Sequence, residues 1–278
     1  MTDHYAVFGN PIAQSLSPLI HAEFARQTGR DICYQRQLVG VDEFDAAAEK
    51  FFVGGGKGLN ITVPFKLNAF GFATELTERA QRAGAVNTLA LQHDESVLGD
   101  NTDGVGIVED IATNRGWPIN GRRILLIGAG GAVRGVLEPL LAQSPKQLSI
   151  VNRTSSKAEV LARDFADLGN VSGCGLDDLD ERDFDLVING TSASLAGELP
   201  PLPSGTVTSS TSCYDMMYSA QPTVFLQWAA GLGVTKLSDG LGMLVEQAAA
   251  AFFLWHGVKP ETAGVIELIR RQLSNVGE

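Results

Sequence analysis

Four apolar residues, Ile124-Leu125-Leu126-Ile127, run straight into Gly128-Ala129-Gly130-Gly131-Ala132, and an apolar pattern of helical period follows. A short apolar run suits a buried parallel strand, and glycines directly after it let the backbone turn tightly into a helix. The N-terminus of that helix presents unpaired N–H groups to an anion. The stretch therefore predicts a strand–turn–helix unit that holds a dinucleotide, with Gly128, Gly130 and Gly131 carrying the turn. A merely structural turn is the competing reading. The strict pattern places its third glycine at 133, where this chain has Val133. That departure loosens helix–strand packing in principle and leaves the phosphate turn intact.

The next predicted strand, Gln147–Asn152, ends in Asn152-Arg153-Thr154, with Lys157 one turn on. An NAD site usually ends this strand in Asp or Glu, which takes the ribose 2′-hydroxyl. Here no carboxylate repels a 2′-phosphate, and a guanidinium both pairs with phosphate and stacks on adenine. The pattern favours NADP over NAD. The alternative is a solvated Arg–Lys pair opening a surface helix, with Thr154 as its cap.

At 278 residues the chain suits two domains better than one. Its first hundred residues alternate short elements. Strands are predicted at Tyr5–Gly9, Ile32–Leu38, Gly58–Val63 and Val86–Gln92, and helices at Pro18–Thr28 and Val41–Phe52. Asp103 opens a helix that ends at Gly116-Trp117-Pro118. Strands at Arg123–Ile127, Gln147–Asn152, Asp185–Asn189 and near Ser210–Tyr214 then alternate with helices, as in a doubly wound parallel sheet. Apolar helices at Leu244–Gly257 and Pro260–Leu273 follow. The expected architecture is α/β with two domains: an N-terminal α/β substrate domain, 1–103 with 241–278, and a Rossmann-like dinucleotide domain, 104–240. Ligands are expected between them, near the carboxyl ends of the strands.

Net charge is −11, from 21 basic and 32 acidic residues, which argues against nucleic-acid and anionic-membrane partners. Anionic ligands would have to find few and local positive groups. Cys33, Cys174 and Cys213 form no CxxC pair, and His4, His21, His93 and His256 have no ligand spacing. Neither a metal site nor a disulfide framework is expected. With no secretion signal and no apolar run long enough to span a bilayer, a cytoplasmic protein is expected, monomeric or homodimeric.

Several polar residues stand where chemistry is possible. Ser15 and Ser17 precede a helix, so their hydroxyls and its N-terminus would suit a carboxylate; ordinary helix initiation, with Ser17 as cap and Pro18 following, explains them equally. Strand alternation puts Asn60 and Thr62 on one face, with Lys66 after the strand, a hydroxyl-binding surface beside an acid/base group. An edge strand with a solvated lysine fits the same spacing. Asn87 follows Gly84-Ala85-Val86, Asp103 would serve as a helix cap, and Gln247 is an amide among apolar helix positions. Gly54-Gly55-Gly56-Lys57 lacks the spacing of a nucleotide P-loop.

Taken in order, these segments resemble the shikimate dehydrogenases, NADP-dependent oxidoreductases of aromatic amino-acid (chorismate) biosynthesis. The resemblance runs nearly end to end. It rests on Gly9-Asn10-Pro11, Ser15-Leu16-Ser17-Pro18, Asn60-Ile61-Thr62-Val63-Pro64-Phe65-Lys66, Gly84-Ala85-Val86-Asn87-Thr88 and Asn101-Thr102-Asp103-Gly104 in the first half. In the second half it rests on Gly128-Ala129-Gly130-Gly131-Ala132, Asn152-Arg153-Thr154, Tyr214-Asp215-Met216 and Asp239-Gly240-Leu241-Gly242-Met243. The resemblance implies reversible reduction of 3-dehydroshikimate to shikimate, with Lys66 and Asp103 as the catalytic pair. It implies that Ser15 and Ser17, with Tyr218 nearby, hold the substrate carboxylate. It implies that Asn60, Thr62, Asn87 and Gln247 bind ring hydroxyls. Gly128, Ala129, Gly130, Gly131, Ala132, Asn152, Arg153, Thr154 and Lys157 would hold NADP, Met216 and Gly240 would lie near the nicotinamide, and Glu78 would approach the cofactor. The family often has arginine where Lys157 stands, so a point charge replaces a fork there. Two rival readings are a quinate/shikimate dehydrogenase that also accepts NAD, and a non-catalytic NADP-binding sensor on the same fold.

Overall fold

The computed structural model describes residues 2–180, 183–193 and 197–276. The chain forms two compact units, Met1–Gly106 with Val245–Ile269, and Ile107–Leu244 with Arg270–Glu278.

The first unit is a mixed six-stranded sheet. Its strands are β1 (Asp3–Gly9), β2 (Ile32–Leu38), β3 (Gly56–Ile61), β4 (Glu75–Leu76), β5 (Thr88–Leu91) and β6 (Val97–Asp100), in the order β2-β1-β3-β5-β6-β4. β1 pairs in parallel with β2 and β3, whereas β5 runs antiparallel to β3 and β6. Helices α1 (Ser17–Thr28), α2 (Phe44–Val53), α3 (Lys66–Phe72) and α4 (Glu78–Ala83) join the strands, and α5 (Asp103–Glu109) leaves the last of them. Gly29 ends α1 in the left-handed conformation, with its N–H on the Ala25 carbonyl. Strand alternation splits the side chains. Phe8, Leu59 and Ile61 join Phe44, Phe65 and Leu89 in one core. The opposite face carries Tyr5, Tyr34 and Asn60. There Tyr5 packs on Trp255, and His21 of α1 stacks on Tyr34 with centroids 4.3 Å apart.

The second unit is an all-parallel sheet of β7 (Arg123–Ile127), β8 (Gln147–Asn152), β9 (Val171–Gly175), β10 (Leu186–Asn189), β11 (Ser212–Asp215) and β12 (Lys236–Asp239), in the order β12-β11-β10-β7-β8-β9. This is the doubly wound Rossmann-like order, with helices on both faces. Ile124 and Leu126 face α6 (Gly131–Ala142) and α7 (Ser155–Asp164), while Leu125 and Ile127 face α8 (Val224–Gly231). The sequence reading found four of the six strands. The two missed are the edges: β9 reads Val-Ser-Gly-Cys-Gly and β12 reads Lys-Leu-Ser-Asp, neither an apolar run. Helices α9 (Leu241–His256) and α10 (Ala263–Val276) complete the chain. Arg270 on α10 bonds the Ser219 carbonyl at 3.2 Å and the Asp239 carboxylate, which ties the end of that helix to the second unit.

The helix predicted from Asp103 to Asn114 is α-helical only to Glu109 and widens into a π-helical turn at Asp110–Asn114. Asp110 is fully buried there and accepts a hydrogen bond from the Tyr214 hydroxyl at 2.7 Å. Its carboxylate lies against Gly242 in the first turn of α9, where the helix dipole favours negative charge. Among the described residues, no helix is long and apolar enough to cross a membrane.

His21 is fully buried, and neither ring nitrogen has a hydrogen-bond partner of good geometry. Burial pushes its pKa down to about 3, with the Asn60 side chain opposing and His256 adding to the shift. The folded imidazole thus stays neutral where an unfolded one takes a proton. Its contribution to stability is complete above pH of about 6.5 and drains away as pH falls toward about 3, at about 1.4 kcal/mol per pH unit. Thermal unfolding followed from pH 7 to pH 5 is expected to show the melting temperature falling more steeply in the wild type than in His21→Leu. Parallel curves would remove His21 as a cause.

Candidate functional site

The first unit gathers most of the polar residues singled out in the sequence. β3 delivers Asn60 into the buried face opposite Leu59 and Ile61. The strand ends at Ile61, one residue short of Thr62. Thr62 still pairs with β1 through its N–H on the Phe8 carbonyl at 2.9 Å, and its carbonyl closes a turn to the Phe65 N–H at 3.0 Å. Lys66 emerges from that turn as the first residue of α3. It is neither on an edge strand, since β3 lies between β1 and β5, nor freely solvated. Its Nζ donates to Asp103 Oδ2 at 2.5 Å. The Lys66 side chain is 29 % exposed and that of Asp103 is 11 %, so the ion pair is largely withdrawn from water.

Asp103 opens α5, but its carboxylate does not cap the helix. Oδ2 takes Lys66, and Oδ1 accepts from Asn87 Nδ2 at 2.7 Å. Asn87 is in turn fully engaged. Its Oδ1 accepts from the Thr102 N–H at 2.9 Å and from the Thr88 hydroxyl at 2.9 Å. Its Nδ2 also reaches Thr102 Oγ1 at 3.0 Å and Gln247 Oε1 at 3.4 Å. The loop before Asp103 is pinned by the buried carboxylate of Asp100. That group accepts from the Thr77 hydroxyl at 2.6 Å, the Asn101 N–H at 2.8 Å and both arms of the Arg79 guanidinium.

Ser17 does not cap α1. The capping position is Leu16, with no side-chain cap bond, and the Ser17 hydroxyl instead accepts from Ser15 Oγ at 3.2 Å. The two hydroxyls therefore sit side by side at a helix N-terminus, as a carboxylate would require. Arg36 on β2 donates Nε to the Ser15 carbonyl at 2.7 Å and brings a cation to this loop. Glu78 is exposed in the first turn of α4 and has no hydrogen bond or ion pair among the described residues. Sequence reading passed over Tyr34, Arg36, Thr88 and Thr102. The last two belong to quoted motifs. The first two share one face of β2 by alternation, which was the available signal.

In the second unit the candidate cofactor residues lie past the carboxyl ends of β7, β8, β11 and β12. Gly128 has φ +109°, a conformation that favours glycine, and its N–H donates to the Val151 carbonyl at 2.7 Å. Gly130 and Gly131 differ: a Cβ at either would meet no protein atom within 4 Å. No neighbour demands a glycine there, so the space in front of the α6 N-terminus is suited to a ligand that approaches the backbone closely. Ala132 is exposed in the same first turn. A cavity of about 360 Å³ adjoins it, lined by Ala129, Gly130, Gly131, Arg134, Lys157 and Leu161 among others. Val133 does not loosen the packing as expected. It is fully buried, and room for it comes from Gly190 after β10, where any Cβ would collide with Val133.

Asn152 folds back on the Thr154 carbonyl at 3.0 Å, and Thr154 stands at the cap of α7 without a side-chain capping bond. Arg153 and Lys157 are exposed, and among the described residues neither has a carboxylate partner. Unpaired cations at the end of β8 fit an anionic 2′-phosphate. Arg134, which the sequence reading missed, is held by Asp164 at 2.7 Å and lies over the Phe165 ring. It sits in the first turn of α6, where it looked like an ordinary solvent-facing residue. Met216 is buried after β11, and the Gly240 N–H donates to the neighbouring Met217 carbonyl at 3.1 Å. Tyr218 belongs to this unit and is half-buried; burial, then Asp239, raises its pKa.

Comparison with known proteins finds three family matches along the chain. Residues 7–89 match the shikimate dehydrogenase substrate binding domain, residues 110–196 match shikimate / quinate 5-dehydrogenase, and residues 240–270 match the shikimate 5′-dehydrogenase C-terminal domain. A shikimate dehydrogenase (NADP(+)) of Cellvibrio japonicus is 60 % identical over 273 residues, covering 98 % of this chain and 99 % of that one. Among solved structures, an Ael1 enzyme from Pseudomonas putida has TM-score 0.92 at 44 % identity, covering 98 % of each chain. Shikimate 5-dehydrogenase from Thermus thermophilus, in complex with NADP(H) and shikimate, has TM-score 0.87 at 32 % identity, covering 98 % of this chain and 100 % of that one. On sequence, fold and relatives together, the chain belongs to the shikimate dehydrogenase family.

Proposed function

We propose that this protein catalyses the reversible NADPH-dependent reduction of 3-dehydroshikimate to shikimate, the step of chorismate and aromatic amino-acid biosynthesis that its family performs. The observation that carries this reading is the Lys66 ammonium held on the Asp103 carboxylate, whose other oxygen is held by Asn87. The first unit is the substrate domain and the second the NADP domain. NADPH, when bound, supplies the hydride. The chain's own residues manage the proton and the orientation.

In reduction, Lys66 Nζ donates a proton to the carbonyl oxygen as negative charge develops there. Asp103 keeps the ammonium aimed, and Asn87 keeps Asp103 from rotating. In oxidation the neutral lysine amine takes the hydroxyl proton. Ser15 and Ser17 hold the substrate carboxylate. Asn60, Thr62, Asn87 and Gln247 bind ring hydroxyls, and at Asn87 a hydroxyl would replace the 3.4 Å bond to Gln247, the longest it makes. Gly128 to Ala132 cradle the pyrophosphate, Asn152, Arg153, Thr154 and Lys157 take the adenosine 2′-phosphate end, and Met216 and Gly240 approach the rest of the cofactor. The unpaired Arg153 and Lys157 favour NADP over the quinate-oxidising, NAD-accepting alternative. Assay of 3-dehydroshikimate with NADPH, beside NADH and quinate controls, tests the reading directly, and any substrate-dependent turnover rules out a non-catalytic sensor.

Lys66→Ala is expected to cut turnover roughly 10²- to 10⁴-fold while NADPH binding, followed by its fluorescence, stays near normal. Near-wild-type turnover would take Lys66 out of the mechanism. Arg153→Ala is expected to weaken NADPH roughly 10- to 100-fold and NADH far less. Equal losses would show that Arg153 does not read the 2′-phosphate.

A further inference from the structure

A single run of hydrogen bonds crosses the first unit from the edge strand to the ion pair. The Tyr34 hydroxyl donates to Asn60 Oδ1 at 2.7 Å. Asn60 Nδ2 donates to Thr88 Oγ1 at 3.2 Å, and the Thr88 hydroxyl donates to Asn87 Oδ1 at 2.9 Å. Asn87 Nδ2 donates to Asp103 Oδ1 at 2.7 Å, and Lys66 closes on Asp103 Oδ2. Register explains the reach. Tyr34 pairs with Tyr5 and Asn60 with Val7, so the two side chains meet diagonally across β1 on one face of the sheet.

The direction of every bond in this run is forced. Asp103 is a carboxylate and accepts only, and the Thr102 backbone N–H can only donate. Together they fix the Asn87 amide with Nδ2 toward Asp103 and Oδ1 toward Thr102. The Thr88 hydroxyl must then donate to Asn87, which leaves its oxygen to accept, so Asn60 must present Nδ2 to Thr88 and Oδ1 to Tyr34. Tyr34 meets that demand from the other end. Burial raises its pKa, with the Ser17 hydroxyl a weaker opposing influence, so it remains an O–H donor. Its ring is clamped face to face by His21 at an interplanar angle of 8°.

The geometry points to Tyr34 and Thr88 as positioning residues for the reaction: Tyr34 helps hold the Asn60 amide in one orientation and so fixes where its remaining N–H and lone pair meet a ring hydroxyl, and Thr88 couples that amide to Asn87 and hence to Asp103. The inference rests on the proposed roles of Asn60 and of the Lys66–Asp103 pair.

The test uses the full-length enzyme, with KM and kcat for shikimate and its binding constant by calorimetry. Tyr34→Phe removes one hydroxyl and keeps the ring, and it is expected to raise KM and Kd for shikimate roughly 3- to 10-fold with kcat within about twofold. Thr88→Val should raise KM and also lower kcat, and Thr88→Ser should restore both. Adding Tyr34→Phe to Thr88→Val should cost less than about twofold more, since the run is already broken. A wild-type enzyme that does not turn over shikimate overturns the functional reading and this inference with it. With an active wild type, three results overturn the inference alone: unchanged KM and Kd in Tyr34→Phe with only a lower melting temperature, full multiplication of the two effects, or failure of Thr88→Ser to rescue Thr88→Val. Should Tyr34→Phe not fold, the Thr88→Val and Thr88→Ser pair decides.

Discussion

The ion pair between Lys66 and Asp103 is the constraint around which the first unit is organised. Withdrawing two charges from water costs several kcal/mol per ion unless hydrogen bonds replace the lost hydration. Asp103 meets that condition with Lys66 on one oxygen and Asn87 on the other. Each of these partners is itself anchored, Asn87 by the Thr102 backbone and Lys66 by its place at the start of α3. The buried Asp100 carboxylate, held by the partly exposed Arg79, fixes the loop that carries Asn101, Thr102 and Asp103. The proposed acid/base role needs geometry held to a fraction of an ångström, and the same bonds that make burial tolerable would supply that precision.

The second unit meets the opposite demand. On the proposed reading it must attract an anion to a protein of net charge −11. What it offers are the N-terminal N–H groups of α6, behind two glycines with open space before them, and the exposed Arg153 and Lys157, which have no carboxylate partner among the described residues. Arg134 adds a cation at the cavity wall, braced by Asp164. Open cations and open amides cost little here, because they are exposed and hydrated until a ligand arrives. The buried Asp110 shows the contrast. It is sealed against Tyr214 and the first turn of α9, with nothing left to offer a ligand.

How much of this the sequence disclosed follows from the range of each interaction. The parallel sheet was legible because central strands such as Ile124–Ile127 are continuous apolar runs and the turn after them is written in glycine. The edge strands β9 and β12 were not, since a strand with one open side needs no such run. The antiparallel strand β6 hid behind Asp94-Glu95-Ser96, a tight turn with Glu95 at positive φ that the strand reading from Val86 to Gln92 did not continue past. In the site, Lys66 and Asp103 were each identified, yet each also had an ordinary explanation. What separates the two readings is a contact across 37 positions, and no local pattern encodes that. Tyr34 was missed for the same reason, because a tyrosine on an edge strand carries no mark of the asparagine it will meet 26 residues later.

The ordinary explanations failed in a consistent way, and the reason is a matter of counting donors and acceptors. Ser17 as a cap, Asp103 as a cap and Thr154 as a cap all assume that a polar side chain at a helix start spends itself on the helix. In each case the structure spends it elsewhere or leaves it unspent: Ser17 faces Ser15, Asp103 faces Lys66 and Asn87, and Thr154 makes no capping bond. At Thr77 and Thr223 the hydroxyl does accept from the backbone N–H three residues on, while its proton goes to the buried carboxylates of Asp100 and Asp215. A helix start whose cap is diverted gives up roughly 1 kcal/mol of local stability. That sacrifice recurs at the hydroxyl pair, at the ion pair and at the end of β8, which is where a chain that must bind a small acid and a phosphorylated cofactor would be expected to make it.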